Sequence, residues 1–414
     1  MAAAEEPTWE DLLGRNNWEG LLNPLNVSLR RLVLRAGDFC QATYDAFVND
    51  PNSAFCGVSR YGKPSFFRKV MLDDADHYDV VSFLYATARV SDHEAFFLKS
   101  MSRDSWDRET NWIGYVAVTS DARTAEIGRR EIYVVFRGTT RNYEWINVLG
   151  AKLTSLKCLL TGGDGNCGGG GDGLADDDDD GPKAMLGWVT IYTTANPRSQ
   201  FTKMSARSQL LRKIQELLEK YKDEKPSIVL TGHSLGGTLA TLGAFDLAEN
   251  VTGGDDNVPV TAIVFGSPKV GNKELADRIK LNKNLRILHV KNQIDLITRY
   301  PGRILGYVSV GTKLKIDTRK SPFLKESHHP GDWHNLQAML HVAAGWNGER
   351  EEFEMRVKRS IALVNKSCDL LKEECLVPPC WWVEKNKGLL KAEDGEWVMA
   401  TPHDEDLPVA EFHD

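Results

Sequence analysis

Apolar residues recur along this chain in two rhythms, and the places where the rhythm changes outline its architecture. Short runs rich in β-formers read as strands at Arg130–Phe136, Ser227–Leu230, Val260–Phe265 and Leu285–Val290. Between them the spacing becomes helical. Ser205–Glu224 puts Leu210, Leu211, Ile214, Leu217 and Leu218 on one face, a second helix follows the Ser227 strand to Asn250, and a third lies near Asn272–Ile279. This alternation implies an α/β fold, with a mostly parallel central sheet covered by helices on both faces. Upstream, Leu29, Leu32, Leu34, Phe39, Tyr44 and Phe47 approximate helical spacing over Val27–Val48, and Asp79–Ala86 fits strand or helix alike. Trp112–Val118 reads as a strand joined to Arg130–Phe136 by a hairpin connection at the polar Ser120–Gly128. Downstream, a charged helix is expected from Arg350 toward Asn365, and two short strands within Trp381–Met399, turning at Glu393-Asp394-Gly395.

The same pattern suggests three parts. Residues 1–26 are rich in Trp and turn formers and predict a loosely packed N-terminal arm, residues 27–350 form the main domain, and residues 351–414 a C-terminal helix with a small β extension. Residues 162–182 are almost entirely Gly and Asp, a composition that buries too little apolar surface to offset the entropy of ordering. They predict a mobile loop within a flexible insertion at 155–188. Leu156, Leu159, Leu160, Leu174, Met185, Leu186 and Trp188 are its apolar residues.

Composition narrows the function. A formal net charge of −7 argues against a nucleic-acid partner, and no apolar run is long enough to span a bilayer. The start of the chain lacks an apolar signal region and carries Glu5, Glu6, Glu10 and Asp11, so a cytoplasmic location is expected. Seven scattered cysteines without a Cys-x-x-Cys pair agree, and free thiols are expected. The sequons at Asn26, Asn250 and Asn365 then read as chance matches. The run Asp176–Asp180 starts like a calcium loop, but Gly187 stands where the closing glutamate belongs, so it reads as a solvated acidic loop. No metal or cofactor is called for.

The chemistry is concentrated at Gly232-His233-Ser234-Leu235-Gly236, between a strand and a helix rich in small residues. This is the context of a nucleophile elbow, where Gly232 and Gly236 let strand and helix approach and Ser234 is lifted above the sheet. A serine nucleophile needs a base, and the base needs an orienting acid, in the chain order serine, acid, histidine. Asp295, a few residues past the Leu285–Val290 strand, fits the acid; Asp332 is an alternative only two residues from the candidate histidine. His334, at the start of the His334–Ala344 helical segment, fits the base better than His328 and His329 in a loop or His341 inside the helix. Those four histidines lack a zinc-site spacing. The N–H of Leu235 and the Arg137-Gly138-Thr139 turn, through Thr139, are candidate oxyanion donors.

With these pieces assembled, the chain resembles the class 3 lipases and, more narrowly, the plant phospholipase A1 class II group. The matching segments are FRGTTRNYEWINVL at 136–149, TGHSLGGTLA at 231–240, FGSPKVGN at 265–272, ILHVKNQIDLITRYPG at 287–302, WHNLQAMLHVAAG at 333–345 and the opening WEDLLGRNNWEGLLNPLN at 9–26. The resemblance implies an α/β-hydrolase fold, a triad of Ser234, Asp295 and His334, and an oxyanion hole at Thr139 and Leu235. It implies cleavage of the sn-1 acyl ester of phospholipids at a membrane or micelle surface, without a cofactor. Galactolipase, neutral-glyceride lipase or esterase activity by the same mechanism, and a non-catalytic lipase-like scaffold, are the alternatives. The resemblance also implies a lid after the Arg-Gly-Thr turn, and the apolar residues of the 155–188 insertion suit one that covers the site in water and opens onto lipid. Met185-Leu186-Gly187-Trp188 departs from the His-x-Gly-Phe segment common in relatives and bears on lid length and acyl-site shape.

Overall fold

A computed structural model describes residues 6–87, 98–140, 151–161, 180–252, 258–383 and 388–412. Its centre is a sheet of seven strands whose spatial order follows the chain: β1 (Tyr78–Thr87), β2 (Thr110–Thr119), β3 (Arg130–Phe136), β4 (Pro226–His233), β5 (Val260–Phe265), β6 (Leu285–Asn292) and β7 (Thr312–Ile316). The first three run antiparallel and the rest parallel, with Val134 opposite Leu230, Leu230 opposite Ala262 and Ala262 opposite Ile287. The parallel strands are apolar on both sides because both faces are covered. Tyr133, Val135, Val229, Ile263, Leu288 and Val290 point into one core, and Ile132, Val134, Leu230, Ala262 and Ile287 into the other.

Five helices form the covers. On the first face lie α1 (Val27–Asp45) and α5 (Leu336–Gly345); on the second lie α2 (Ala206–Lys220), α3 (Leu235–Asn250) and α4 (Lys273–Leu281). Most starts are dictated locally. Asn26, Ser205, Asn272 and Asn335 each accept a backbone N–H of the first turn. The helix α3 is buried nearly all round, which explains its run of Leu, Ala and Gly.

Four expectations need correction. Ser120–Gly128 joins antiparallel neighbours as expected, but through a helix, Asp121–Ile127, capped by the Ser120 hydroxyl and ended by Gly128 at φ 69°. The N-terminal stretch is not loose. Leu13, Trp18 and Leu25 are buried in the first core, and the Leu13 and Gly14 carbonyls accept from Thr261 and Arg286. No helix runs from Arg350; a short 3-10 turn, Ile361–Asn365, follows an irregular stretch in which Phe353, Met355 and Val357 recur every second residue, a period that suits extended chain rather than helix. Cys158 is disulfide-bonded, while Cys40, Cys56, Cys368, Cys375 and Cys380 are free.

The ambiguous Asp79–Ala86 is the edge strand β1, and the short strands Leu389–Lys391 and Trp397–Met399 pair antiparallel about the 393–395 turn. Leu156, Leu159, Met185 and Trp188 of the expected lid are buried in the second core. Leu174, most of the Gly/Asp run and Asp176–Asp179 lie outside the described residues. No helix of the described residues is long and apolar enough to cross a membrane.

Buried ions tie the covers together. Arg207 of α2 reaches Asp246 of α3 through Nε at 2.7 Å and through its second terminal nitrogen at 3.1 Å, and the Tyr192 hydroxyl and the Asn250 amide complete the carboxylate's partners. Removing one member of such a pair strands the other without water. Arg207→Leu is expected to lower the unfolding free energy by about 3–5 kcal/mol, read from the urea midpoint. A second expectation concerns pH. Burial, reinforced by the Arg359 charge, pushes His341 down to about 4. The folded protein thus refuses a proton that the unfolded chain takes up below about pH 6.5, so stability falls as pH drops through that window and levels off below about 4. His341 should account for about 2 kcal/mol of the loss between pH 7 and pH 5. Thermal melts of His341→Gln across that range should show a correspondingly shallower fall.

Candidate active site

The end of β4 turns into α3 at Ser234, whose backbone sits at φ 59°, ψ −126°, a conformation that side chains rarely adopt. The glycines around it make the turn possible. A Cβ on Gly232 would stand 2.1 Å from the Gly236 carbonyl oxygen, and one on Gly236 would stand 2.3 Å from the Phe136 carbonyl oxygen. Ser234 is held by its N–H, which donates to the Phe265 carbonyl at 2.9 Å, and is 3% exposed.

The neighbour of Phe265, Gly266, carries the link to the acid and the base. Asp295 sits three residues beyond β6 and is fully buried. One carboxylate oxygen accepts the Ile297 N–H at 2.9 Å, and the other meets His334 Nδ1 at 2.7 Å. Both side chains lie against Gly266, where an added Cβ would be 2.9 Å from His334 Cε1 and 3.1 Å from the Asp295 carboxylate. Asp295 and His334, distant in sequence, thus meet against Gly266, next to the Phe265 carbonyl that accepts the Ser234 N–H.

His334 lies in the link between a one-turn helix, Pro330–Trp333, and α5, rather than inside α5. Its backbone is pinned from two sides. The Asn292 amide donates to the Trp333 carbonyl at 2.7 Å, and His233 Nε2 meets the His334 carbonyl at 2.9 Å. A carbonyl only accepts, so His233 donates from Nε2 and its Nδ1 accepts the Tyr44 hydroxyl at 2.7 Å. Burial, with the His334 ring 4.5 Å away, keeps the His233 pKa well below the usual histidine range. It is therefore a neutral spacer of fixed tautomer. His233 was legible only as a member of the elbow; its bracing role and that of Tyr44 were not. Tyr44 occupies an ordinary apolar position of α1, and nothing local marks its hydroxyl.

The remaining candidates fall elsewhere. Asp332 accepts the Ser327 hydroxyl at 2.5 Å and steadies its own loop. His329 caps the Pro330–Trp333 turn, His328 is exposed, and His341 pairs with Ser321 at 2.8 Å inside the core. Among the described residues no three His, Cys, Asp or Glu side chains are grouped to hold a metal ion.

The turn after β3 lies beside the elbow. A Cβ on Gly138 would meet the His233 carbonyl oxygen at 2.6 Å and the Tyr44 hydroxyl at 2.1 Å, so this glycine permits a close approach. Arg137 anchors the turn. It is buried over the Phe47 ring at 3.7 Å and donates to the Trp112 and Gly138 carbonyls. Thr139 is half-buried next to it, and Leu235 occupies the first position of α3, where backbone N–H groups have no partner within the helix.

Comparison with known proteins gives the family. Residues 133–304 match the family described as Lipase (class 3). Phospholipase A1-IIdelta of Arabidopsis thaliana is 65% identical, the alignment covering 99% of this chain and 100% of that one. Phospholipase A1-II 5 of Oryza sativa subsp. japonica is 46% identical over 99% of this chain and 86% of that one. Among solved structures, a lipase from Rhizopus microsporus var. chinensis superposes with a TM-score of 0.42 at 17% identity, over 71% of this chain and 76% of that one. With relatives this similar over 99% of this chain, it belongs to the phospholipase A1 class II group of the class 3 lipase family, with its α/β-hydrolase fold.

Proposed function

We propose that this protein hydrolyses the sn-1 acyl ester of glycerophospholipids through an acyl-enzyme intermediate, at the surface of a membrane or micelle. The observation that carries the reading is the buried Asp295–His334 contact of 2.7 Å, packed on Gly266 next to the strand partner of Ser234. Family membership at 65% identity to a phospholipase A1-IIdelta supports the substrate class.

In this reading the Ser234 hydroxyl attacks the ester carbonyl carbon and passes its proton to His334 Nε2. Asp295 holds the opposite ring N–H and stabilises the imidazolium. Negative charge gathers on the carbonyl oxygen, where the Leu235 N–H at the positive end of α3 and Thr139 donate to it. His334 then protonates the departing glycerol oxygen, releasing a lysophospholipid. The base next takes a proton from water, which attacks the acyl-serine and frees the fatty acid. The chemistry needs no metal, because the residues supply base, acid and oxyanion donors.

A fluorophosphonate probe should label the wild-type protein and leave Ser234→Ala unlabelled, and that variant should lose on the order of 10⁴-fold or more in kcat/KM. Asp295→Asn should keep the fold and lose on the order of 10³–10⁴ in kcat, because the imidazole is then held in the wrong tautomer. Position is read separately. With phosphatidylcholine carrying different acyl chains at its two positions, mass spectrometry should find the sn-1 acid and a 2-acyl lysophospholipid. Equal early release of both acids would overturn the sn-1 assignment.

A further inference from the structure

The catalytic acid opens a segment unlike the rest of the chain. Between Leu285 and Lys320 stand eight Lys or Arg and only two acids, in a protein of formal net charge −7. Both acids are occupied, Asp295 by His334 and Asp317 by Arg319 at 2.7 Å. Among the described residues, Lys291, Arg299, Arg303 and Lys313 form no ion pair with a carboxylate.

Topology gathers these cations at one end of the sheet. In the β6–β7 register Lys313 lies opposite His289 and Lys315 opposite Lys291, which sets the three lysines on one face. Lys269, from the loop that follows Gly266, donates to the Pro301 carbonyl at 2.7 Å and so reaches the same turn. The charges feel one another. Lys291 is held below the ordinary lysine range by burial and then by Lys313 and Arg299, and Lys269 by burial and then by Arg303 and Lys313.

At the tip of this basic surface is an apolar point. Ile304 is 101% exposed, its neighbour Leu305 53%, and Leu296, the residue after Asp295, 48%. Scattered exposed apolar side chains need no explanation. Three within one catalytic loop, set among like charges that repel each other, match an interface that is both greasy and anionic. Arg299 also borders a groove of about 860 Å³ whose lining includes Arg319, Lys320, Lys325 and Lys372 against Glu326 and Asp332.

We propose that the Arg303–Leu305 turn, with Leu296 and the surrounding Lys291, Arg299 and Lys313, is a docking surface for an anionic lipid bilayer. Ile304 and Leu305 enter the headgroup region, and the cations meet acidic headgroups around them. The proposal deepens the phospholipase reading above and rests on it only for the choice of a lipid partner. It assigns a preference for negatively charged membranes to residues that take no part in the bond-breaking steps.

The test separates binding from turnover by using Ser234→Ala as the parent. Its co-sedimentation is measured with vesicles of phosphatidylcholine alone and with about one third phosphatidylglycerol. The parent should bind the anionic vesicles at least tenfold better, and about 0.5 M salt should abolish the difference. Arg303→Gln with Lys313→Gln should lose roughly fivefold per charge removed. Ile304→Ser with Leu305→Ser should weaken binding to both kinds of vesicle. In the Ser234 background, both double variants should hydrolyse a soluble short-chain ester at the wild-type rate and melt as the wild type does. Equal binding to both vesicle types, or double variants that bind like the parent, would overturn the proposal. So would heparin competing fully while Ile304→Ser with Leu305→Ser changes nothing, since the surface would then be a polyanion site. Anionic-vesicle binding with no phospholipid cleavage by the wild type would leave the surface standing and overturn the activity instead.

Discussion

Everything at the catalytic end depends on an approach so close that only a hydrogen atom fits at Gly266. Its backbone, at φ 55°, lies beneath the Asp295–His334 pair, and any side chain there would run into the imidazole. The same strand end accepts the Ser234 N–H through Phe265. One short stretch of β5 therefore sets the height of the nucleophile and of the base together. The turn tolerates this because Gly232 and Gly236 remove the matching obstructions on the serine side. The strained Ser234 backbone is held by burial and by its bond to Phe265 rather than by its own preference.

The imidazole is also fixed from behind, by a layer that takes no chemical part. Asn292 holds the Trp333 carbonyl, and His233 holds the next one, with Tyr44 fixing the tautomer of His233. A histidine in this role must stay neutral, and burial beside a second imidazole ensures it. Rigidity here matters because a base displaced by a fraction of an ångström loses its line to the hydroxyl.

Sequence alone revealed the parts that depend on neighbours in the chain. The strands β3 to β6 announced themselves as apolar runs, and the helix from Ser205 through the spacing of its apolar residues. Ser234 was legible because its glycines are adjacent to it, and Asp295 because acids follow strands in a fixed order. What stayed hidden depends on distant partners. The N-terminal stretch looked like an unattached arm because the partners of its Leu13 and Gly14 carbonyls, Thr261 and Arg286, lie some 250 residues on. Tyr44 looked like one more apolar position of α1. The charged stretch after Arg350 was misread because its apolar residues, Phe353, Met355 and Val357, recur every second position rather than at helical spacing. Cys158 was misjudged because spacing among scattered cysteines says little about pairing.

The buried Arg30 of α1 has a bearing on how the molecule is made. Its guanidinium donates to the carbonyls of Ala343 and Trp346, 313 and 316 residues further along the chain, and Lys366 closes on Asp45 at the other end of the same helix. During translation the first helix leaves the ribosome long before any of these acceptors exists. At ordinary elongation rates of roughly 5–20 residues per second these polar ties close about 15–60 s after the helix emerges. Its apolar face is met much sooner, since Phe39 packs on Tyr78 and Tyr133, so the helix docks early and is locked only when the chain is nearly finished.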